Sequence, residues 1–531
     1  MSLGSLDWMV IVLYGVVLAA IGFVLVRKAD SAEGYFLASR ALRWPFIGAS
    51  LFAANISAEH FVGLAGAGYA DGMAVGGFEW MAIYCLVPLI VLFLPFYISN
   101  AVYTVPEFLE LRFGPSVRLF FSGFMVILAV LAKVSISFWA SAIVIHSLMG
   151  WHPVAVIWGI GLLTALYTMK GGLRVVVYTD ALQAGILLVA AFCLVSIGLN
   201  RVGGFSVLAA KVSSGSFKMV RPATDPNYPW PGMFFGVFIL GSFYWSMDQV
   251  LVQRALAAKT LNEGRLGAIF CGFLKLLTPF LLVLPGVIAR ALLPRLAKAD
   301  DAFPLLLKAL MPPGLLGLTV AGVIAALMGH ISATYNSVST LITRDFYCRF
   351  RPAATQDQQI RIGRIAVFVV FVLGALWAPL IERFGNIWIY LQSMQAYFMM
   401  PFAGIFFFSV LSRRVTTAGV LACIACAGIV CPALMINNLF IAEGRDFLPF
   451  MRNPLLLPWL HSAGVGFVVC MIVLVAVSAF TRKVSAEKLA RTTVTDFSAL
   501  LRTGISPGLQ DYRWWLGALL VIVTVLWFLF R

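Results

Sequence analysis

A dozen residues capable of chemistry sit within or beside long apolar runs of this 531-residue chain: Asn55, Glu59, His60, Glu79, Lys133, Asp180, Tyr244, Trp245, Asp248, Lys275, His330 and Gln392. One acid, one amine, an amide from each half and an adjacent aromatic pair suit a neutral ligand with many hydroxyls. Hydroxyls both donate and accept, so such a ligand needs acceptors from Glu79 and Gln392 beside donors from Lys275 and Asn55. Tyr244 and Trp245 offer an aromatic face for ring C–H groups. An anionic solute would call for unbalanced Arg or Lys, and here the charges balance. The set therefore favours a sugar. Asp248 and Glu59 are expected to cap the ends of half-helices.

Two interrupted helices must position these groups. The stretch Ser50 to Trp80 starts and ends as membrane helix but is broken by Ala53-Ala54-Asn55-Ile56-Ser57, Glu59-His60 and a glycine series. Unpaired backbone and charge in hydrocarbon cost several kcal/mol, about as much as several hydrogen bonds, so they persist only where they line a cavity or bury against protein. The second interruption, Gly241 to Asp248, lies five apolar runs later. Broken helices at matching places in two halves point to an inverted-repeat transporter with its site at the midplane. Glu79 and Lys275, isolated charges in the helix after each break, extend the correspondence.

The composition agrees. With 61% apolar and 11% charged residues, the chain reads as an all-α polytopic membrane protein. About 14 runs reach the roughly 20 residues a crossing needs. They fall near 7–26, 44–70, 74–99, 116–149, 152–169, 178–200, 231–254 and 266–291, then 313–343, 362–382, 386–411, 416–440, 458–481 and 514–530. The formal charge of +16 sits in short loops, which makes it topology information and not a nucleic-acid footprint. Asp7 before the first run and Arg27-Lys28 after it reverse the order of a signal peptide. The excess of basic residues then puts both termini outside a plasma or inner membrane. The chain divides into an extra N-terminal helix (1–30), a first repeat (44–200), a second repeat (231–411) and C-terminal helices (412–531) with a cytoplasmic segment near 482–513. Outer loops at 201–230 and 292–312 are long, and the second has room for a short helix. The eight cysteines, Cys423-Ile-Ala-Cys426 included, read as packing thiols. No nucleotide motif, metal cluster or soluble catalytic domain supports an enzyme.

From about Ser31 to Gln395 the chain resembles the sodium/glucose cotransporters of the solute:sodium symporter family. The matching stretches are NISAEHFVGLAG, GGFEW, TVPEFLELRFG, GGLRVVVYTDALQ, YWSMDQVLVQRALAAK, FLKLLTPFLLVLPGVIAR and NSVSTLITRDFY. The resemblance implies a leucine-transporter-type fold, ten core helices in two inverted five-helix repeats. It puts sugar ligands on Asn55, His60, Glu79, Tyr244, Trp245, Lys275 and Gln392. It also makes Tyr244 an inner gate, with Leu64 and Phe78 above the sugar, and makes Gly241 a departure that removes one hydroxyl contact. The family's sodium carbonyls fall on Ala53, Ile56 and Ala326, but its serine pair is replaced by Gly329-His330. Glycine has no hydroxyl, and histidine is a poor ligand for a hard cation that wants oxygens. Asp180 remains.

The expectation is a secondary transporter of a hexose-like sugar, without a resident cofactor, working by alternating access in the bilayer with Na+ or H+ as coupling ion. Because imidazole titrates near about pH 6.5 when unperturbed, His330 is expected to make uptake sodium-independent and pH-dependent. Uncoupled transport and a non-transporting sugar sensor are the alternatives.

Overall fold

The computed structural model describes residues 3–25, 31–57, 59–384, 387–441 and 448–531, and its secondary structure there is helical apart from two isolated bridges. Arg27 and Lys28 lie outside the described residues. The chain opens with α1 (Ser5–Leu25) and α2 (Trp44–Asn55). After a break come a π-turn (His60–Leu64), α3 (Ala65–Asp71) and α4 (Gly76–Val87). Then follow α5 (Val105–Phe113), α6 (Pro115–Met149) and α7 (Pro153–Val202). The bent pair α8 (Gly232–Ser246) and α9 (Gln249–Leu256) meets at 51° and leads to α10 (Leu261–Leu292). Next are α11 (Ala302–Leu310), α12 (Leu315–Leu341), α13 (Gln356–Trp377) and α14 (Ile387–Leu411). The chain ends with α15 (Thr417–Ile441), α16 (Trp459–Ala479), α17 (Ala486–Thr492), α18 (Phe497–Arg502) and α19 (Tyr512–Leu529).

Among the described residues each of the fourteen apolar runs falls mainly on helix, yet by length and apolarity ten helices there qualify as spans, or eleven with the bent pair joined. Two of the ten are compound. His60–Ser99 and Pro153–Val202 run to 40 and 50 residues, well beyond one bilayer thickness at about 1.5 Å per residue. The longer one changes direction at Gly172, whose φ of 58° is open to glycine and whose missing Cβ lets the Tyr35 carbonyl approach.

Both breaks occur where the sequence interrupts. Helix α2 stops as Ile56 turns extended (φ −88°, ψ 122°) and the chain resumes helical bonding at His60, whose N–H donates to the Ser57 carbonyl. At the second break Asp248 leaves the helix and its carboxylate accepts from the Val250 N–H at 2.9 Å, the expected cap. Glu59 does not cap. Its carboxylate accepts from Ser137 Oγ at 2.8 Å, because α6 packs beside the break and offers a hydroxyl.

Two sequence motifs act as fasteners at one end of the bundle. In TVPEFLELRFG, Thr104 and Glu107 form a reciprocal capping box that starts α5. Arg118 at the start of α6 pairs with Glu110 at 2.6 Å and with Asp345 at 2.5 Å, and Thr104 Oγ1 donates to the same Asp345. At the other end Asp7 of α1 accepts from the Gly314 and Gly317 N–H groups, both at 2.7 Å, so the extra N-terminal helix caps α12.

The loop after α10 does contain a helix. Helix α11 lies over the first half-helix, with Phe303 against Phe61 at 5.2 Å. Asp300 sits so close to Gly66 that a Cβ there would lie 2.7 Å from its Oδ1, which has no hydrogen-bond partner. Burial, reinforced by Asp301 and opposed by Lys298, pushes the Asp300 carboxyl up to about 6 from its ordinary 3.8. A carboxyl raised on folding stabilises the docked state only while protonated, so its contribution is lost as pH rises through about 6. The Asp300→Asn variant should therefore unfold at higher temperature than the parent, by a margin that grows from about pH 4 to about pH 6 and then levels off. Thermal unfolding of purified protein across that range checks this, and a margin independent of pH would contradict it.

Candidate substrate and cation site

The two breaks face each other across a cavity of about 70 Å³, room for roughly five waters at 10–15 Å³ each. Asn55, Glu59 and His60 enter it from the first break, and Tyr244 and Trp245 from the second. Glu79 and Phe78 come from α4, Lys133 from α6, Lys275 from α10, His330 from α12 and Gln392 from α14. Every residue singled out for sugar contact thus lines one cavity. Leu64 is buried but is not among the lining residues, and Phe78 stacks on Trp459 at 6.2 Å.

The charges that looked isolated in the sequence are partners. Lys275 Nζ donates to Glu79 Oε2 at 2.6 Å and lies 5.5 Å from the centre of the Trp245 ring. Lys133 pairs with Asp248 and stands 5.3 Å from the Tyr244 ring. Asn55 Nδ2 donates to the Tyr244 hydroxyl at 3.2 Å, which ties the first break to the second. Asn55 Oδ1 is left buried without a partner. His60 Nδ1 accepts from the Ser57 N–H at 3.3 Å, which leaves Nε2 to carry the ring proton. A buried acceptor with nothing to accept from, in a cavity lined by donors and acceptors, suits a hydroxylated guest.

Sequence reasoning missed Cys85 and Gln395. Gln395 lies three residues after Gln392 and so on the same helix face, a spacing that was there to be used. Cys85 explains the Gly241 departure, because a Cβ on Gly241 would lie 2.6 Å from its sulfur. The volume a polar side chain would take at 241 is filled from α4.

The Gly329 departure has the same form. One point, where a Cβ on Gly329 would stand, lies 2.7 Å from Gln183 Oε1, 3.5 Å from Asp180 Oδ1 and 3.7 Å from the Ala53 carbonyl. Both side-chain oxygens are buried without hydrogen-bond partners. Asp180 uses its other oxygen, accepting from Ser50 Oγ at 2.5 Å and pairing with Arg254 at 3.4 Å. His330 Nδ1 donates to the Ala54 carbonyl at 2.6 Å, and Nε2 has no partner. Ile56 and Ala326, the other two positions expected to lend carbonyls, are both buried.

Comparison with known proteins now decides the family. The profile of the Sodium:solute symporter family matches residues 35–426. The chain belongs to that family. Sodium/glucose cotransporter 1 of Ovis aries is 34% identical over 91% of this chain and 80% of its own length. The sodium/myo-inositol cotransporter of Bos taurus is 33% identical over 96% of this chain and 78% of its own. Among solved structures, an outward-open Na+-coupled sialic acid symporter shares the fold with a TM-score of 0.77, at 21% identity, covering 91% of this chain and 99% of its own. The protein is accordingly a multi-pass membrane transporter with a leucine-transporter-type fold, and not an enzyme. Within this symporter, the Gly241–Cys85 contact makes a direct prediction. Gly241→Ala should lower the thermal midpoint through overpacking of about 1–3 kcal/mol, and Cys85→Ala in the same chain should restore it. Additive losses in the double variant would contradict the contact.

Proposed function

We propose that this symporter moves a neutral, hexose-like sugar together with a cation by alternating access. The observation that carries the sugar reading is the orphaned Asn55 Oδ1 in a cavity whose two lysines are each committed to an acid, with Tyr244 and Trp245 beside it. An anionic solute would find neither lysine free, while hydroxyls can insert among donors and acceptors at no charge cost. Asn55, His60, Glu79, Lys275 and Gln392 hold the hydroxyls, Trp245 faces the ring, and Tyr244 closes the inner path with Phe78 and Leu64 on the outer side. The two repeats are taken as 44–200 and 231–411, with both termini outside.

Sodium is the favoured coupling ion, supported by a hard-oxygen set of Ala53 O, Asp180 Oδ1 and Gln183 Oε1 in place of the missing serine hydroxyls. Coupling follows from shared parts. Successive residues of α2 serve both ligands: the Ala53 carbonyl faces the cation, the Ala54 carbonyl holds His330, and the Asn55 side chain reaches Tyr244. A cation that orders the end of α2 therefore orders the sugar site, and the coupling is reciprocal. The second reading, a proton, is favoured by His330 Nε2, which lacks a partner in a residue that lines the cavity.

Uptake of labelled glucose into proteoliposomes, with sodium or choline and from about pH 5.5 to about 8.5, separates the two. The expected result is sodium-stimulated uptake that Gln183→Ala reduces at least about tenfold, the scale of one lost ligand at about 1.4 kcal/mol. Sodium-independent uptake that follows pH and disappears in His330→Gln would instead establish the proton, and glucose accumulation in neither condition would leave no sugar symport.

A further inference from the structure

A second cavity, of about 520 Å³, lies away from the substrate site, between the first turn of α15 and the segment that follows α16. Its lining includes Arg112, Arg482, Lys483 and Lys488, with Thr417 and Ser485 adding hydroxyls. No carboxylate is among the described lining residues. The nearest acid in sequence, Glu487, is turned to Arg491 at 3.9 Å. Four cations gathered without an acid attract a multiply oxygenated anion.

Arg112 distinguishes this cavity from an ordinary basic surface. It is 1% exposed, and its terminal nitrogens are held by the Ser409 and Ser412 carbonyls and the Thr493 hydroxyl. Those partners are all neutral, and its Nε has none. Burial pulls the guanidinium down to about 10, so it remains charged at neutral pH with no acid to match it. Thr417 and Ala418 add the amino end of a 25-residue helix, whose dipole also favours negative charge.

The level of the cavity selects the source of the anion. Thr417 begins one apolar span, and Ala479, three residues before Arg482, ends another. Between them and the basic run stands Phe480, 92% exposed, a side chain suited to lipid and not to water. We propose that this cavity binds the phosphate of an anionic phospholipid headgroup. Phosphate oxygens there would meet Arg482, Lys483 and Lys488 and supply the anion that Arg112 lacks, as basic pockets beside membrane helices do for acidic lipids. Because Arg112 joins α5 to the end of α14 and to the segment after α17, the bound lipid would also brace that face of the bundle.

The test uses the full chain, purified and delipidated, with phosphatidylglycerol, phosphatidylcholine or glycerol phosphate added, and reads bound lipid by native mass spectrometry alongside thermal stability. Phosphatidylglycerol should bind at least tenfold more tightly than phosphatidylcholine. That preference should vanish in the Arg482→Gln, Lys483→Gln, Lys488→Gln triple variant, whose changed residues are exposed and spare the core. A control with Lys170→Gln, Arg351→Gln and Arg361→Gln, also exposed, should keep it. Equal binding of the two lipids, retention of the preference in the first variant, or its loss in the control would overturn the proposal. Glycerol phosphate as effective as the lipid would overturn the lipid assignment in favour of a soluble anion.

Discussion

A charge in the bilayer interior is costly unless it is matched, and much of this structure follows from how that demand is met. Three buried pairs do it: Glu79 with Lys275, Lys133 with Asp248, and Asp180 with Arg254. Each joins a residue before position 201 to one after position 230, so the matching of charge also joins the two halves of the chain. Breaking such a pair by removing one partner costs about 3–5 kcal/mol, far more than most single contacts. The broken helices are therefore held in register by electrostatics, which leaves their backbone free to line a site.

The same pairs limit what the site can bind. Lys275 and Glu79 are committed to each other at 2.6 Å, and Lys133 to Asp248, so neither lysine of the cavity is free to hold an anion. On the proposed sugar reading, specificity is left to hydrogen-bond geometry and to the aromatic faces of Tyr244 and Trp245. The proposed ion site lies on the other side of the same broken helix, where the Ala53 carbonyl and the Asp180 and Gln183 side-chain oxygens surround the point where a Cβ on Gly329 would stand. On this proposal one interruption in one helix creates both binding surfaces.

Much of this was legible in the sequence, for physical reasons. Asn55, Ser57, Glu59 and His60 inside an apolar run have no plausible place except beside a cavity, so the first break could be read directly. Gly241 to Asp248 was legible in the same way, and the seven residues expected to contact sugar do line one cavity. What could not be read is pairing across distance. Lys133 and Asp248 are 115 positions apart and Lys275 and Glu79 are 196 apart, and no local pattern links them. Nor could the two glycine departures be understood alone, since Cys85 and Gln183, which fill the space beside Gly241 and Gly329, belong to other helices. The span count was blurred because sharp turns at Gly72 and Gly172 leave neighbouring spans joined as continuous helix.

The central claim is that the cavity between the two breaks is the sugar site, and Gln392 tests it most directly because it lines the cavity without belonging to any of the three ion pairs. Titrating glucose calorimetrically into purified parent and Gln392→Ala protein in sodium should show binding to the parent. In the variant it should be weakened by about 1–3 kcal/mol, the cost of a lost buried hydrogen-bond partner, with thermal stability unchanged. Parent-like glucose binding by Gln392→Ala, or no binding by a well-folded parent, would contradict the assignment.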